Sequence, residues 1–206
     1  AYRGFLERAN KAFDKQKLVL VMTAPAGEPE WNLRSFAAAV DFVIFMDYDD
    51  HWQGGTPGPI AAQAWFAEQL AIARREIGRD KLILAVGSYA YDWHDGIADA
   101  MTIGEAWLAA RDSEAMPRFD PASGNTGFAY DEDGHRHTVW MLDAATNWNQ
   151  LSLARDAKGV ALWRLGSEDA GYWKALRASR GTTPPDLRRI DTVGNVDVKG
   201  NGELLR

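Results

Sequence analysis

Residues 41–48 read DFVIFMDY, a run whose apolar side chains follow one another instead of occupying every second position. A strand with one wet face alternates apolar and polar residues, so a continuous run implies a strand covered on both faces. Parallel sheets between layers of helix create that situation. Three further runs share the character: 17–23 (KLVLVMT), 81–88 (KLILAVGS) and 159–165 (GVALWRL). The amphipathic stretches 2–16, 33–39, 59–77 and 144–157 predict helices between them, with Pro59 in a first turn and Gly78 and Gly159 at helix ends. Repetition of strand, loop and helix is the pattern of parallel βα units.

The connection before the last run, about seventy residues, is too long for a simple unit. Within it 102–111 predicts a helix, and 126–130 and 135–142 flank Asp131-Glu132-Asp133-Gly134, a hairpin-type turn. Residues 95–142 therefore predict a small α+β insertion on the loop face. Residues 169–179 predict a further helix. The stretch 181–206 starts with the linker-like GTTPP and continues as a Gly-punctuated tail that could pair as a hairpin or open a following segment. Four βα units do not close a barrel, which takes eight strands. The expected fold is α/β, half of a (β/α)8 barrel over 1–180 completed by a missing half or by self-association; a smaller doubly wound sheet is the alternative.

With 206 residues, 46% hydrophobic and 25% charged, the chain can bury a substantial core. A net charge of -6 with both signs interspersed argues against a nucleic-acid surface. Apolar stretches fall far short of the roughly 20 residues that cross a bilayer, so no membrane contact is expected from this segment. Residues 1–13 mix charge with apolar side chains and do not read as a signal peptide. The absence of cysteine excludes disulfides, thiolate metal sites and cysteine nucleophiles. Nine tryptophans are more than a core needs, and their flat faces suit stacking on sugar rings.

Parallel α/β folds bind ligands at the C-terminal ends of their strands. The residues after the four runs are Thr23 to Ala26, Met46 to Trp52, Ser88 to Trp93, and Trp163 to Asp169. Aromatics and carboxylates thus gather on one rim, the first to stack on sugars and the second to bind hydroxyls or move protons. His135 and His137 share a strand face without a third ligand nearby, which favours a solvated hairpin over a metal site, and Asp131 to Asp133 lack the spacing of a calcium loop. His51 and His94 read as hydrogen-bonded loop residues. No phosphate loop, nucleophile elbow or nucleotide fingerprint is present, and neither metal nor cofactor is expected.

The stretch 42–49, FVIFMDYD, resembles the sixth strand of glycoside hydrolase family 18, which ends in Met, one variable residue, Tyr and Asp. Residues 20–26, 81–93 and 159–169 resemble its fifth, seventh and eighth strands, and Asp50-His51-Trp52 with Trp65 is similar to the bacterial and spore-coat branch. The resemblance, in order over 1–178, implies the C-terminal half of the barrel, strands five to eight. It also implies hydrolysis of β-linked N-acetylglucosamine polymers by substrate-assisted retention. In that chemistry a glutamic acid protonates the glycosidic oxygen while the substrate's acetamido carbonyl attacks the anomeric carbon. Tyr48 and Asp49 would orient the acetamide, Met46 would line the pocket, Trp163 would floor it, and Trp52, Tyr89 and Tyr91 would contact substrate. The family's acid closes a D-x-x-D-x-D-x-E motif that this chain lacks; residues 1–6 resemble the helix after that strand, so the acid is expected upstream. A non-catalytic glycan-binding module is the alternative, and retention of Tyr48 and Asp49 favours the enzyme. Residues 195–206 resemble a junction in bacterial polypeptides that also carry polysaccharide deacetylase and membrane glycosyltransferase regions, implying a parent at the cell envelope.

Overall fold

The computed structural model describes residues 1–181, 183 and 185, so the expected linker and tail lie almost wholly outside the described residues. In chain order α1 (Tyr2–Asp14) precedes β1 (Val21–Pro25), α2 (Leu33–Ala37) precedes β2 (Phe42–Met46), and α3 (Gln63–Glu76) precedes β3 (Leu82–Gly87). Then come β4 (Ala90–His94), β5 (Ile97–Met101), α4 (Ile103–Asp112), β6 (Arg118–Asp120), β7 (Asn125–Glu132) and β8 (His135–Met141). The chain returns through α5 (Ala144–Leu153) to β9 (Gly159–Trp163) and α6 (Tyr172–Ser179).

The four apolar runs form one parallel sheet, ordered β1-β2-β3-β9. The register sets Met46 beside Pro25 and Ala85, and Trp163 beside Gly87, which brings the four C-terminal ends to one rim. Alternate residues of β2 enter different cores. Val43 and Phe45 pack with Phe66 and Leu70 of α3, whereas Ile44 and Met46 pack with Tyr48, Tyr89 and Leu142. This double burial is the physical content of the unbroken apolar run. The outer strands are less covered: Val21 on β1 and Trp163 on β9 are exposed, as is Phe5 on α1.

Some boundaries differ from the sequence reading. Helix α3 starts at Gln63, not near Pro59, because Ala62 is extended and Ala61 is pinned on both sides by the buried Asn125. The Asn125 Oδ1 accepts from the Ala61 N–H at 3.1 Å, and its Nδ2 donates to the Ala61 carbonyl at 2.9 Å. Gly78, at φ 84°, does end that helix, but Gly159 opens a strand. Lys17 sits in a turn at φ 56°, which delays β1 to Val21.

The long connection is an antiparallel sheet, ordered β5-β4-β8-β7-β6. Its strand β4 contains Tyr91, Asp92 and Trp93, which read as a rim loop in the sequence but pair with both β5 and β8. Strands β7 and β8 are joined by Asp133 and Gly134, both at positive φ, the conformation a tight two-residue hairpin requires. Thr102 and Glu105 form a reciprocal capping box that starts α4. That helix covers one sheet face through Ile103, Ala106 and Trp107 against Phe128, Val139 and Met141, while Tyr91, Trp93 and Trp140 turn toward the rim cluster.

Buried polar side chains fasten the two sheets together. Ser88 Oγ donates to the Leu142 carbonyl and accepts from the Asp169 N–H, and Ser167 Oγ donates to the Ser88 carbonyl. Asp143 caps α5 by accepting from the Thr146 N–H and also receives the Thr126 hydroxyl. Asp169 is pushed up to about 6 by burial and then by the negative Asp143. An unfolded aspartate releases its proton near pH 4, so between there and about 6 the native state holds more protons. Stability therefore falls as the pH rises through that window. Asp169→Asn is expected to flatten this slope and to stabilise the protein at pH 7 by on the order of 2 kcal/mol. Thermal melts at pH 4 and pH 7 check it; an equal shift at both values would remove ionisation as the cause.

Candidate active site

The chain leaves β2 at Met46, and the Asp47 N–H still reaches the Ala85 carbonyl. Asp49 then adopts a left-handed backbone at φ 70°, and the Asp50 N–H closes the loop on the Ile60 carbonyl. The left-handed region is uncommon outside glycine and is held there by surrounding contacts. Two such contacts are hydrogen bonds to Asp49 Oδ1: Tyr89 donates its hydroxyl at 2.5 Å and Tyr91 at 3.1 Å. Burial raises the Asp49 carboxyl above its ordinary range, and the two tyrosine hydroxyls oppose that shift.

The tyrosines form a row of edge-to-face rings. Centroids lie 6.0 Å apart from Tyr48 to Tyr89, 5.2 Å from Tyr89 to Tyr91, and 5.4 Å from Tyr91 to Trp93. This arrangement matches the ring quadrupoles. All four rings are buried, and burial drives the three phenols upward, so they remain donors. Gly87 makes room for the row, since a Cβ there would approach the Tyr89 ring to 2.5 Å and Leu142 to 2.6 Å.

Met46, Tyr48, Tyr89 and Tyr91 thus share one cluster, with Asp49 bonded to two of them. Trp163 ends β9 opposite Gly87, two positions before Tyr89, with half its surface (52%) open. Trp52 is likewise exposed, on the loop after Asp49, and its ring lies so close to Gly54 that a side chain there would displace it. Gln53 Nε2 ties that loop to the Ala98 carbonyl of β5. Between loop and insertion lies a cavity of about 530 Å3 whose lining includes Gly54, Pro57, Trp93, Ile97, Arg136 and Thr138.

The sequence reading gave no role to Asp47, although a carboxylate inside an apolar run is a visible signal. It is fully buried, neither oxygen has a hydrogen-bond partner, and burial raises its carboxyl well above the ordinary range. His137 is also not solvated as the hairpin reading predicts. It is buried, stacked between Tyr130 and His94, with Nδ1 2.8 Å from Asp92 Oδ2. His51 holds the Thr56 carbonyl within its own loop. Among the described residues no group of three or more His, Asp or Glu could hold a metal ion.

Among solved structures, a chitinase from Chromobacterium violaceum superposes on 88% of this chain with a TM-score of 0.81 and 27% identity, covering 62% of that protein. The chain is folded like a chitinase catalytic domain. The spore cortex-lytic enzyme SleL of Bacillus cereus gives a TM-score of 0.77 with 26% identity, over 88% of this chain and 45% of that one. The uncharacterized glycosylase YvbX of Bacillus subtilis is 29% identical over 193 residues, 86% of this chain and 56% of the relative. The cortical fragment-lytic enzyme of the same organism is 25% identical over 194 residues, 85% of this chain and 45% of the relative. The chain therefore spans about half the length of the curated relatives it matches. No protein-family model matches the sequence. Glycosylases and cortex-lytic enzymes as relatives, with chitinases as structural neighbours, agree with the glycoside hydrolase family 18-like fold read from strands β1, β2, β3 and β9.

Proposed function

We propose that this chain is the acetamide-orienting half of a glycoside hydrolase that cuts β-linked N-acetylglucosamine polymers by substrate-assisted retention. The observation that carries the reading is Asp49, fixed by two tyrosine hydroxyls next to Tyr48 at the C-terminal end of a buried parallel strand. Attack by the substrate's own carbonyl needs that group held under the anomeric carbon, and alignment of this kind lowers barriers by several kcal/mol. Tyr48 supplies a hydroxyl donor to the carbonyl, with Asp49 as a fixed polar partner beside it. Met46 closes the pocket wall, and Trp163 offers an open ring as the floor.

In this reading the sheet is strands five to eight of the barrel, and the exposed Val21 and Trp163 edges meet the other four strands. The proton-donating glutamate belongs to that other half, upstream of Ala1. Chitin, a peptidoglycan strand or an exopolysaccharide would each present the required N-acetyl group. In the same proposal, the resemblance of residues 195–206 to a junction in larger bacterial polypeptides would set the parent beside polysaccharide deacetylase and glycosyltransferase regions at the cell envelope. The deciding experiment compares the 206-residue chain with the protein extended upstream through the fourth strand, using a fluorogenic chitooligosaccharide. Turnover is expected only from the longer protein, because general acid catalysis contributes about 100- to 10,000-fold. Equal turnover by the short chain would overturn the assignment.

Trp163 gives a separate check. Its exposed ring leaves no closed core cavity when removed, so Trp163→Ala is expected to change stability by less than about 1 kcal/mol. Glycan affinity should fall about tenfold or more with the stacking platform gone. A large loss of unfolding free energy with affinity intact would make Trp163 a packing residue.

A further inference from the structure

We propose that the cavity between the ends of α5 and α6 is a binding site for a phosphate monoester carried on an apolar body. It lies at the opposite end of the parallel sheet from the glycan cleft and is independent of it. The cavity reaches Gly159, which opens β9, whereas Trp163 closes that strand on the rim, roughly 13 Å away at ordinary strand rise.

Three features carry it. The cavity measures about 330 Å3, inside the roughly 300–1,000 Å3 range of small-molecule pockets. Part of its lining is apolar, from Leu151, Val160 and Leu176, and is continuous with the main core. It is also lined by Arg155, Lys158 and Arg180, which come from three separate places: the end of α5, the approach to β9 and the end of α6. All three residues are exposed, and no carboxylate lines the cavity. Among the described residues none of the three charged groups has a hydrogen-bond or ion-pair partner. In a chain of net charge -6, three unneutralised cations at one cavity are a local reversal of sign.

Capping helix ends is the ordinary task of cations in such positions, and here other groups already perform it. The Leu153 carbonyl accepts from Arg74 Nη2 at 2.6 Å, and the Leu151 carbonyl from the Ala154 N–H. On α6 the Ser179 hydroxyl donates to the Leu176 carbonyl, and the Gly181 N–H to that of Ala178. Asp156, next to Arg155 in the chain, is held by Arg74 and Arg79 instead. A phosphate monoester matches what remains. It carries close to two negative charges at neutral pH and three terminal oxygens, and guanidinium forks bind such oxygens in pairs. A carboxylate has about half that charge and too few oxygens to engage three cations at once. The apolar lining then takes the carbon body of the ester.

Calorimetric titration of the 206-residue chain with hexyl phosphate and with inorganic phosphate tests the site. Hexyl phosphate should bind about tenfold or more tighter than inorganic phosphate, since burying two methylenes is worth about that factor. It should also raise the melting temperature, as any ligand of the native state does. Arg155→Gln and Arg180→Gln should each weaken hexyl phosphate about tenfold, whereas Arg8→Gln on the distant α1 should leave it unchanged. Both substitutions are at exposed positions, and melting curves verify that the variants fold. Vesicles of phosphatidylcholine with and without phosphatidic acid then separate the two sources of such an ester. Co-sedimentation that needs phosphatidic acid and both arginines makes the ligand a lipid headgroup; hexyl phosphate binding without co-sedimentation makes it a soluble ester. Equal affinity for the two phosphates, or affinity that both variants keep within about threefold, would overturn the proposal. Co-sedimentation without hexyl phosphate binding would overturn it as well, by reducing the cavity to part of a flat basic surface.

Discussion

Asp49→Ala in the upstream-extended protein is expected to lower kcat on a fluorogenic chitooligosaccharide by about 100-fold or more, since loosening a reacting group by about 1 Å costs on that order. In the proposed mechanism the internal nucleophile is a flexible acetamide, and without a fixed partner at Asp49 its productive rotamer becomes one of several. Stability should change little in the destabilising direction, because burial already raises the Asp49 carboxyl and deletion removes that cost along with two hydrogen bonds. The left-handed backbone at this position disfavours alanine as well, so Asp49→Asn is the companion variant. Both should lose activity while melting as cooperative proteins. Retention of kcat within threefold of wild type in both would remove Asp49 from the chemistry.

The largest expected effect on folding belongs to Phe66→Ala. Phe66 is fully buried on α3 and packs in the cluster of Val43, Phe45, Leu70 and Leu84, between helix and sheet. Truncating a ring there leaves a cavity that rigid strands cannot fill, at a cost of about 3–5 kcal/mol. Domains are stable by only about 5–15 kcal/mol in total. Urea unfolding of the pair should show a large drop in midpoint with a similar slope. A loss under about 1 kcal/mol would mean that the helix layer over β2 can relax and that the two-sided burial of that strand is less tight than its accessibility indicates.

The parallel sheet was legible because its strands are buried on both faces, which writes itself into sequence as unbroken apolar runs such as 42–46. The insertion was legible in part: the helix over 102–111 and the strands flanking the Asp131 to Gly134 turn are present as α4, β7 and β8. Strand β4 escaped because Tyr91, Asp92 and Trp93 mix a carboxylate with aromatics. Their pairing with β8 joins residues some fifty positions apart, a contact no local pattern encodes. Met46, Tyr48 and Asp49 could be picked out by residue type after a strand. That Tyr89 and Tyr91 turn their hydroxyls onto Asp49 could not, because Tyr at a strand end looks the same whether it faces solvent, a ligand or a neighbouring side chain. Asp47 shows the same limit, since sequence reveals a carboxylate among apolar residues but not that both its oxygens lie without a partner.

The polar fastening around Ser88 has a meaning for how such a protein can be re-engineered or can diverge. Insertions in barrel loops are commonly treated as interchangeable accessories, removable at their two crossing points. Here the crossing points are themselves built into the scaffold: Ser88 bonds Leu142 and Asp169, and Asp143 at the return caps α5 while gripping Thr126 within the insertion. Excising the antiparallel sheet would strip Asp143 of the Thr126 hydroxyl and take away the Leu142 carbonyl that receives Ser88. The insertion and the parallel sheet are therefore one mechanical unit, and exchange between relatives should succeed only when the segment from Ser88 through Asp169 is carried across whole.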